Sequence, residues 1–139
     1  MSDINNDQQL MDIFYKETQD LIDDMGKDLS ALGGRQEVSG QIALPTGQIK
    51  EQSLILSRLF RQAHTIKSNS ASVGFKDMSR IAGTLEKIFK TMDIRNCMMT
   101  ADVISLLSES VKSCQKLLNQ EEVVDCERLL ERLNKILNY

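Results

Sequence analysis

Five runs of apolar residues, spaced in three- and four-residue steps, account for most of the 139-residue chain, and its single proline, Pro45, falls between the first run and the second. Proline removes a backbone donor and breaks a helix interior, so confining it to one connection leaves every other stretch free to be helical. The first run, from Leu10 to Leu32, carries Leu10, Phe14, Leu21, Met25, Leu29 and Leu32 on one stripe. Glu17, Asp20, Asp23, Asp24 and Asp28 lie between them and read as the solvated face of an amphipathic helix. Gly33 and Gly34 then stop the periodicity, and residues 33–47 are expected to form a loop longer than the usual bundle connection.

The second run, about Gln48 to Val73, is closed by Gly74. A third runs from Phe75 to Met92 with Met78, Ile81, Leu85, Ile88 and Met92 on one face, and Asp93 to Met99 reads as a connection. Thr100 or Ala101 opens the fourth, with Val103, Leu106, Leu107, Val111, Cys114 and Leu118; the fifth carries Cys126, Leu129, Leu130, Leu133, Ile136 and Leu137. These runs predict one all-α domain over residues 1–139: an antiparallel four-helix bundle with an additional helix, the first helix lying across the bundle or beside it.

A formal charge of −3 and no clustered basic face argue against a nucleic-acid partner. No apolar run approaches the roughly 20 residues that cross a bilayer, so no membrane association is expected. Cys97, Cys114 and Cys126 are odd in number and lack the close pairing of a zinc or redox motif. Cys114 and Cys126 fall within apolar stripes and read as small buried hydrophobes, which suits a reducing, cytoplasmic setting. No metal ligand set at helical spacing is present in the sequence.

His64 is the only histidine. At about 100° per residue, Ile55, Leu59, Ala63, Ile66, Ser70 and Val73 share a narrow stripe, and His64 points to nearly the opposite side. Leu56 and Phe60 precede it on its own side, and Lys67, Ser68 and Ala71 follow it. Small side chains at Ser68 and Ala71 keep the surface beside the ring low. Leu56 and Phe60 are expected to offer an apolar patch to a docked partner, and Lys67 to place an ammonium near phosphoryl oxygens.

The run Leu59-Phe60-Arg61-Gln62-Ala63-His64-Thr65-Ile66-Lys67, followed by small residues and Gly74-Phe75, resembles the phosphorylated helix of histidine phosphotransfer domains. It is most similar to those of CheA-type chemotaxis kinases. The shared pattern is A-H-x-[IL]-K with phenylalanine four residues before the histidine and glycine ten after it. The likeness implies a glutamate on the next helix that accepts a hydrogen bond from the histidine Nδ1, and the spacing matches Glu86. Helical phase agrees, since Glu86 lies one residue off the stripe of Leu85 and Ile88; a pair with Lys90, four residues on, is the plainer alternative. Phe14-Tyr15-x-Glu17 is weakly similar to the start of those domains, and residues 33–47 are not covered. Two positions depart from the pattern: Ser68 stands where many such domains have glycine, and Gly83 where a second histidine is frequent.

The resemblance implies a phosphoryl carrier, not an enzyme with its own nucleotide site. His64 Nε2 would accept a phosphoryl group from a histidine kinase catalytic domain or a response-regulator receiver domain and pass it to a receiver aspartate. No cofactor would be bound by this chain; Mg2+ and ATP would be supplied by partner domains. No G-x-x-x-x-G-K-[ST] phosphate loop is present. An alternative role is a helical docking module that inhibits a kinase or regulator without being phosphorylated. A chain ending at Tyr139, after its last helix, fits a freestanding carrier slightly better than the first domain of a larger kinase, and both expectations stand.

Overall fold

The computed structural model describes residues 2–33, 46–95, 100–120 and 123–138, with side chains from Asp7 and, in the second stretch, from Lys50. Five helices follow in order: α1 (Ser2–Gly33), α2 (Thr46–Ser72), α3 (Lys76–Arg95), α4 (Ala101–Asn119) and α5 (Cys126–Leu137). No strand occurs among the described residues. Residues 34–45, most of the expected loop, and Cys97 lie outside them.

The helix ends follow local chemistry. Gly74, at φ 87°, takes the left-handed conformation that side chains disfavour; its N–H donates to the Ala71 carbonyl and that of Phe75 to the Ser70 carbonyl. This is the paired closure that glycine permits at the end of a helix. Thr100 caps α4 by accepting from the Val103 N–H at 3.2 Å, and Asp125 caps α5 by accepting from the Arg128 N–H at 3.2 Å. α3 continues through Asp93 to Arg95, so the expected connection from Asp93 begins later than its polarity suggested. Asp93 serves inside the helix instead, accepting from the Ser53 hydroxyl at 2.6 Å.

The first four helices close a ring. Near the end of α1, Asp28 binds Arg58 of α2 at 2.9 Å, and near the start of the packed part Phe14 stacks on Phe75 at 5.1 Å between ring centres, so α1 and α2 run antiparallel. α1 also packs on α4, where Gln19 and Gln115 exchange amide hydrogen bonds of 2.6 and 2.7 Å. α5 is the additional helix: Arg80 of α3 pairs with Glu127 at 2.6 Å, and Glu109 of α4 with Arg132 at 2.9 Å. α1 is therefore a full bundle member, not a helix lying across or beside it. Its buried stripe explains why, since Phe14, Thr18, Ile22, Met25, Leu29 and Leu32 all face the interior.

Two expected members of that stripe fall elsewhere. Leu10 is 61% exposed, because α1 starts at Ser2 and runs past the level of Phe14, where α2 has already ended. Leu21 sits half-buried on the flank, and Ile22 takes the interior position. Cys114 and Cys126 are free, buried thiols whose pKa values burial pushes up to about 12 and about 11.

Candidate functional site

α2 has one helix on each flank, and this decides which of its side chains reach solvent. Measured from the buried Leu59 at about 100° per residue, Gln62 and Arg58 lie about 60° and 100° toward α1, where Asp28 accepts from both. On the α3 side, Leu56 lies at about 60°, Lys67 at about 80°, Phe60 at about 100°, Ala71 at about 120° and His64 at about 140°. Burial follows that order. Leu56 is buried at 1% exposure, Lys67 and Phe60 are intermediate, and Ala71, His64 and Ser68 are exposed.

Leu56 therefore offers no surface to a partner, and its expected place in an exposed apolar patch is corrected. α3 covers it, and it floors a shallow groove of about 220 Å³ walled by Ser57, Phe60, Phe89, Lys90 and Asp93. Phe60 is the apolar group that stays at the surface. Its ring lies nearly parallel to that of His64, 17° between planes and 6.4 Å between centres. Ser68 and Ala71 leave the far side of the imidazole low.

The His64 side chain is 55% exposed, and Glu86, reaching across from α3, is 13% exposed. Glu86 Oε1 stands 2.7 Å from His64 Nδ1, and its Oε2 accepts from Lys67 Nζ at 2.6 Å. Both carboxylate oxygens are thus held from α2, and Lys90 is not the group that holds them. Burial pushes the Glu86 carboxyl up, but the hydrogen bonds and charges of Lys67 and His64 outweigh it, and the net shift is downward. An ionised carboxylate can only accept hydrogen bonds. The Nδ1 of His64 must then carry the proton, and a neutral ring presents the lone pair of Nε2 outward.

Lys67, expected to place an ammonium near phosphoryl oxygens, is paired with Glu86 one turn from the ring. Its stem crosses the face of α3 beside Gly83, and its charge is already matched by Glu86. A second groove, about 380 Å³, opens beyond it between α3 and α5, with Ser79, Thr84, Lys87, Leu130 and Asn134 among its walls. The part that α5 plays here was not read from the sequence, because no spacing rule places a fifth helix against the third. Among the described residues, no group of three His, Cys, Asp or Glu side chains comes together in a way that could hold a metal ion. No described helix is long and apolar enough to cross a membrane.

A surface imidazole, fixed at one nitrogen by a carboxylate and open at the other, stands on a helical bundle. A comparison with curated proteins finds no match. A model of the Hpt domain family matches residues 9–138, nearly the whole chain, with α2 to α5 complete and α1 from residue 9 on. The chain belongs to the Hpt family, the helical domains that carry phosphoryl groups on histidine in phosphorelays.

Proposed function

We propose that His64 is the phosphoacceptor and that Glu86 orients it. The observation that carries this is the 2.7 Å contact between Glu86 Oε1 and His64 Nδ1 on a ring otherwise open to solvent. In the reaction, the Nε2 lone pair attacks phosphorus and the bond from phosphorus to the donor oxygen breaks. The electron pair leaves with that oxygen, on ADP when a histidine kinase catalytic domain is the donor, or on the aspartate carboxylate when a receiver domain is. As the N–P bond forms, the ring gains positive character, and Glu86 stabilises it through the proton it holds on Nδ1. Transfer onward to a receiver aspartate reverses these roles.

Lys67 brings the cationic charge of the cluster to within one turn of the ring. It keeps Glu86 ionised and supplies positive charge where phosphoryl oxygens arrive. Phe60, Ser68 and Ala71 form the docking surface around the ring, with Phe60 as the apolar anchor. Mg2+ and ATP come with the partner domains, which contribute the acidic metal site and the nucleotide pocket. The likeness to CheA-type domains is supported by the A-H-x-[IL]-K run and by the position of Glu86. The buried, reduced state of Cys114 and Cys126 supports a cytoplasmic setting.

Incubation with a small-molecule phosphodonor-charged receiver domain, followed by separation of the chain, tests the assignment. The expected label is stable to base, labile to acid and abolished by His64→Gln. Label that persists in His64→Gln rejects His64, and absence of label in the unaltered chain with every kinase and receiver tried leaves the docking module without phosphorylation as the reading.

A further inference from the structure

We propose that Gly83 is a positioning residue: by presenting no side chain, it lets the stem of Lys67 lie against α3 and carries the ammonium to the second oxygen of Glu86. A Cβ built at Gly83 would stand 3.2 Å from Lys67 Cδ and 3.8 Å from Lys67 Cγ. Carbon atoms pack best at about 3.5–4.0 Å, so a Cβ here would press on the stem and ask it to give by a few tenths of an ångström. The backbone itself does not call for a glycine at this place. It lies in the interior of α3, where glycine is a poor helix former, and its backbone is ordinary helix, unlike that of Gly74. At Gly26, by comparison, an added Cβ would meet nothing within 4 Å.

Gly83 and Glu86 are three residues apart on one face of α3, so the space left by the first is the path by which Lys67 reaches the second. Around Glu86, α2 supplies His64 and Lys67. α3 supplies Arg80 and Lys87, the former bound to Glu127 at the start of α5, while further along α5 Leu130 and Asn134 carry no charge. Lys67 is the cation in contact with the carboxylate, at 2.6 Å. Displacing its stem by a few tenths of an ångström lengthens that contact and leaves the His64 contact, made by the other oxygen, where it is.

The functional meaning of this arrangement rests on the reading of His64 as phosphoacceptor, but its test needs no phosphodonor. Carbon-13 NMR titration of the Glu86 carboxyl is compared in the unaltered chain, Gly83→Ala, Lys67→Met and the double variant. Alanine is the better helix former at this backbone, so Gly83→Ala is expected to remain folded and to melt at a higher temperature. Gly83→Ala should move the Glu86 midpoint up by about half a unit, because an opposite charge has been loosened. Lys67→Met should move it up as well, and adding Gly83→Ala to Lys67→Met should move it no further. A midpoint that Gly83→Ala leaves unchanged overturns the proposal, and so does an equal movement in the Lys67→Met background. Label retained by His64→Gln would reject the phosphoacceptor reading and leave these titrations as they stand.

Discussion

Glu86 and His64 are 22 positions apart on separate helices, yet Oε1 of one lies 2.7 Å from Nδ1 of the other. The register that joins them is fixed at both ends of the α2–α3 pair. Ser53 donates to Asp93 at 2.6 Å near one end, and Ser79 donates to the Lys67 carbonyl at 3.0 Å near the other. Sliding α3 by one helical turn, about 5.4 Å, would carry Glu86 out of reach. The bond also offsets the rotamer entropy that an exposed ring gives up when it is held in one orientation. The same fold that buries Leu56 and Phe89 therefore sets the tautomer of His64.

Glu86→Gln tests that link. Glutamine keeps the shape but loses the charge, and with it the ion pair to Lys67. Exchanging a charge-assisted bond for a neutral one costs on the order of 1.4 kcal/mol, which corresponds to about a tenfold slower phosphorylation. Nitrogen-15 NMR of the ring should show a mixture of tautomers where the unaltered chain holds the proton on Nδ1. Unchanged rate and tautomer together would reduce Glu86 to a surface acid.

The same carboxylate predicts an acid-side loss of stability. Burial raises the Glu86 pKa, but Lys67 and His64 together lower it by more, so its folded value lies below the unfolded one. A depressed carboxyl contributes stability that is complete above the unfolded value, about 4.3, and is lost as pH falls through the folded value. Melting temperature should therefore fall more steeply below about pH 4 in the unaltered chain than in Glu86→Gln. Glu109 and Glu127 are also lowered, by Arg132 and Arg80, but both pairs are exposed and screened, so they should contribute little to the difference. Parallel melting curves for the two proteins would contradict the assignment.

Ala71 is exposed two turns after His64 on the same side of α2. Ala71→Arg should leave the melting temperature within a degree or two, since surface changes of this kind stay within about 0.5 kcal/mol. If His64 is the phosphoacceptor, phosphoryl exchange with a receiver domain should nevertheless drop sharply, because the new side chain rises on the same side of α2 as Nε2 of His64. Exchange at the original rate would place the approach of the partner on another side of the ring.

Much of this was legible in the sequence because helical phase is local. The five runs, Gly74, the start of α4 at Thr100 or Ala101 and the outward aim of His64 all follow from spacing and residue type. What escaped was set by neighbours distant in the chain. Leu56 and His64 lie on the same side of α2 and differ by about 80° of helix rotation, and only the position of α3 shows that its cover ends between them. The place of α1 in the ring depends on α4, more than 60 residues away, which periodicity cannot report. The partner of Lys67 depends on a vacancy at Gly83, and a sequence shows the glycine but not what fills the space beside it.

Leu56 and Phe60 differ in burial, so truncating each should have a different effect. Leu56 is 1% exposed under α3, so Leu56→Ala removes core packing and should destabilise the domain by about 2–5 kcal/mol. Its surface is unchanged, so at a temperature where the variant remains folded its exchange with a receiver domain should match the unaltered chain. Phe60 is half-buried at the edge of the same groove, with its ring facing that of His64. Phe60→Ala should cost stability less than Leu56→Ala, while exchange slows by about tenfold, the effect of losing an anchor worth about 1.4 kcal/mol. Circular dichroism melts and exchange rates measured on both variants give the contrast. Equal exchange rates in the two would remove Phe60 from the docking surface, and a slowed Leu56→Ala that melts like the unaltered chain would return Leu56 to it.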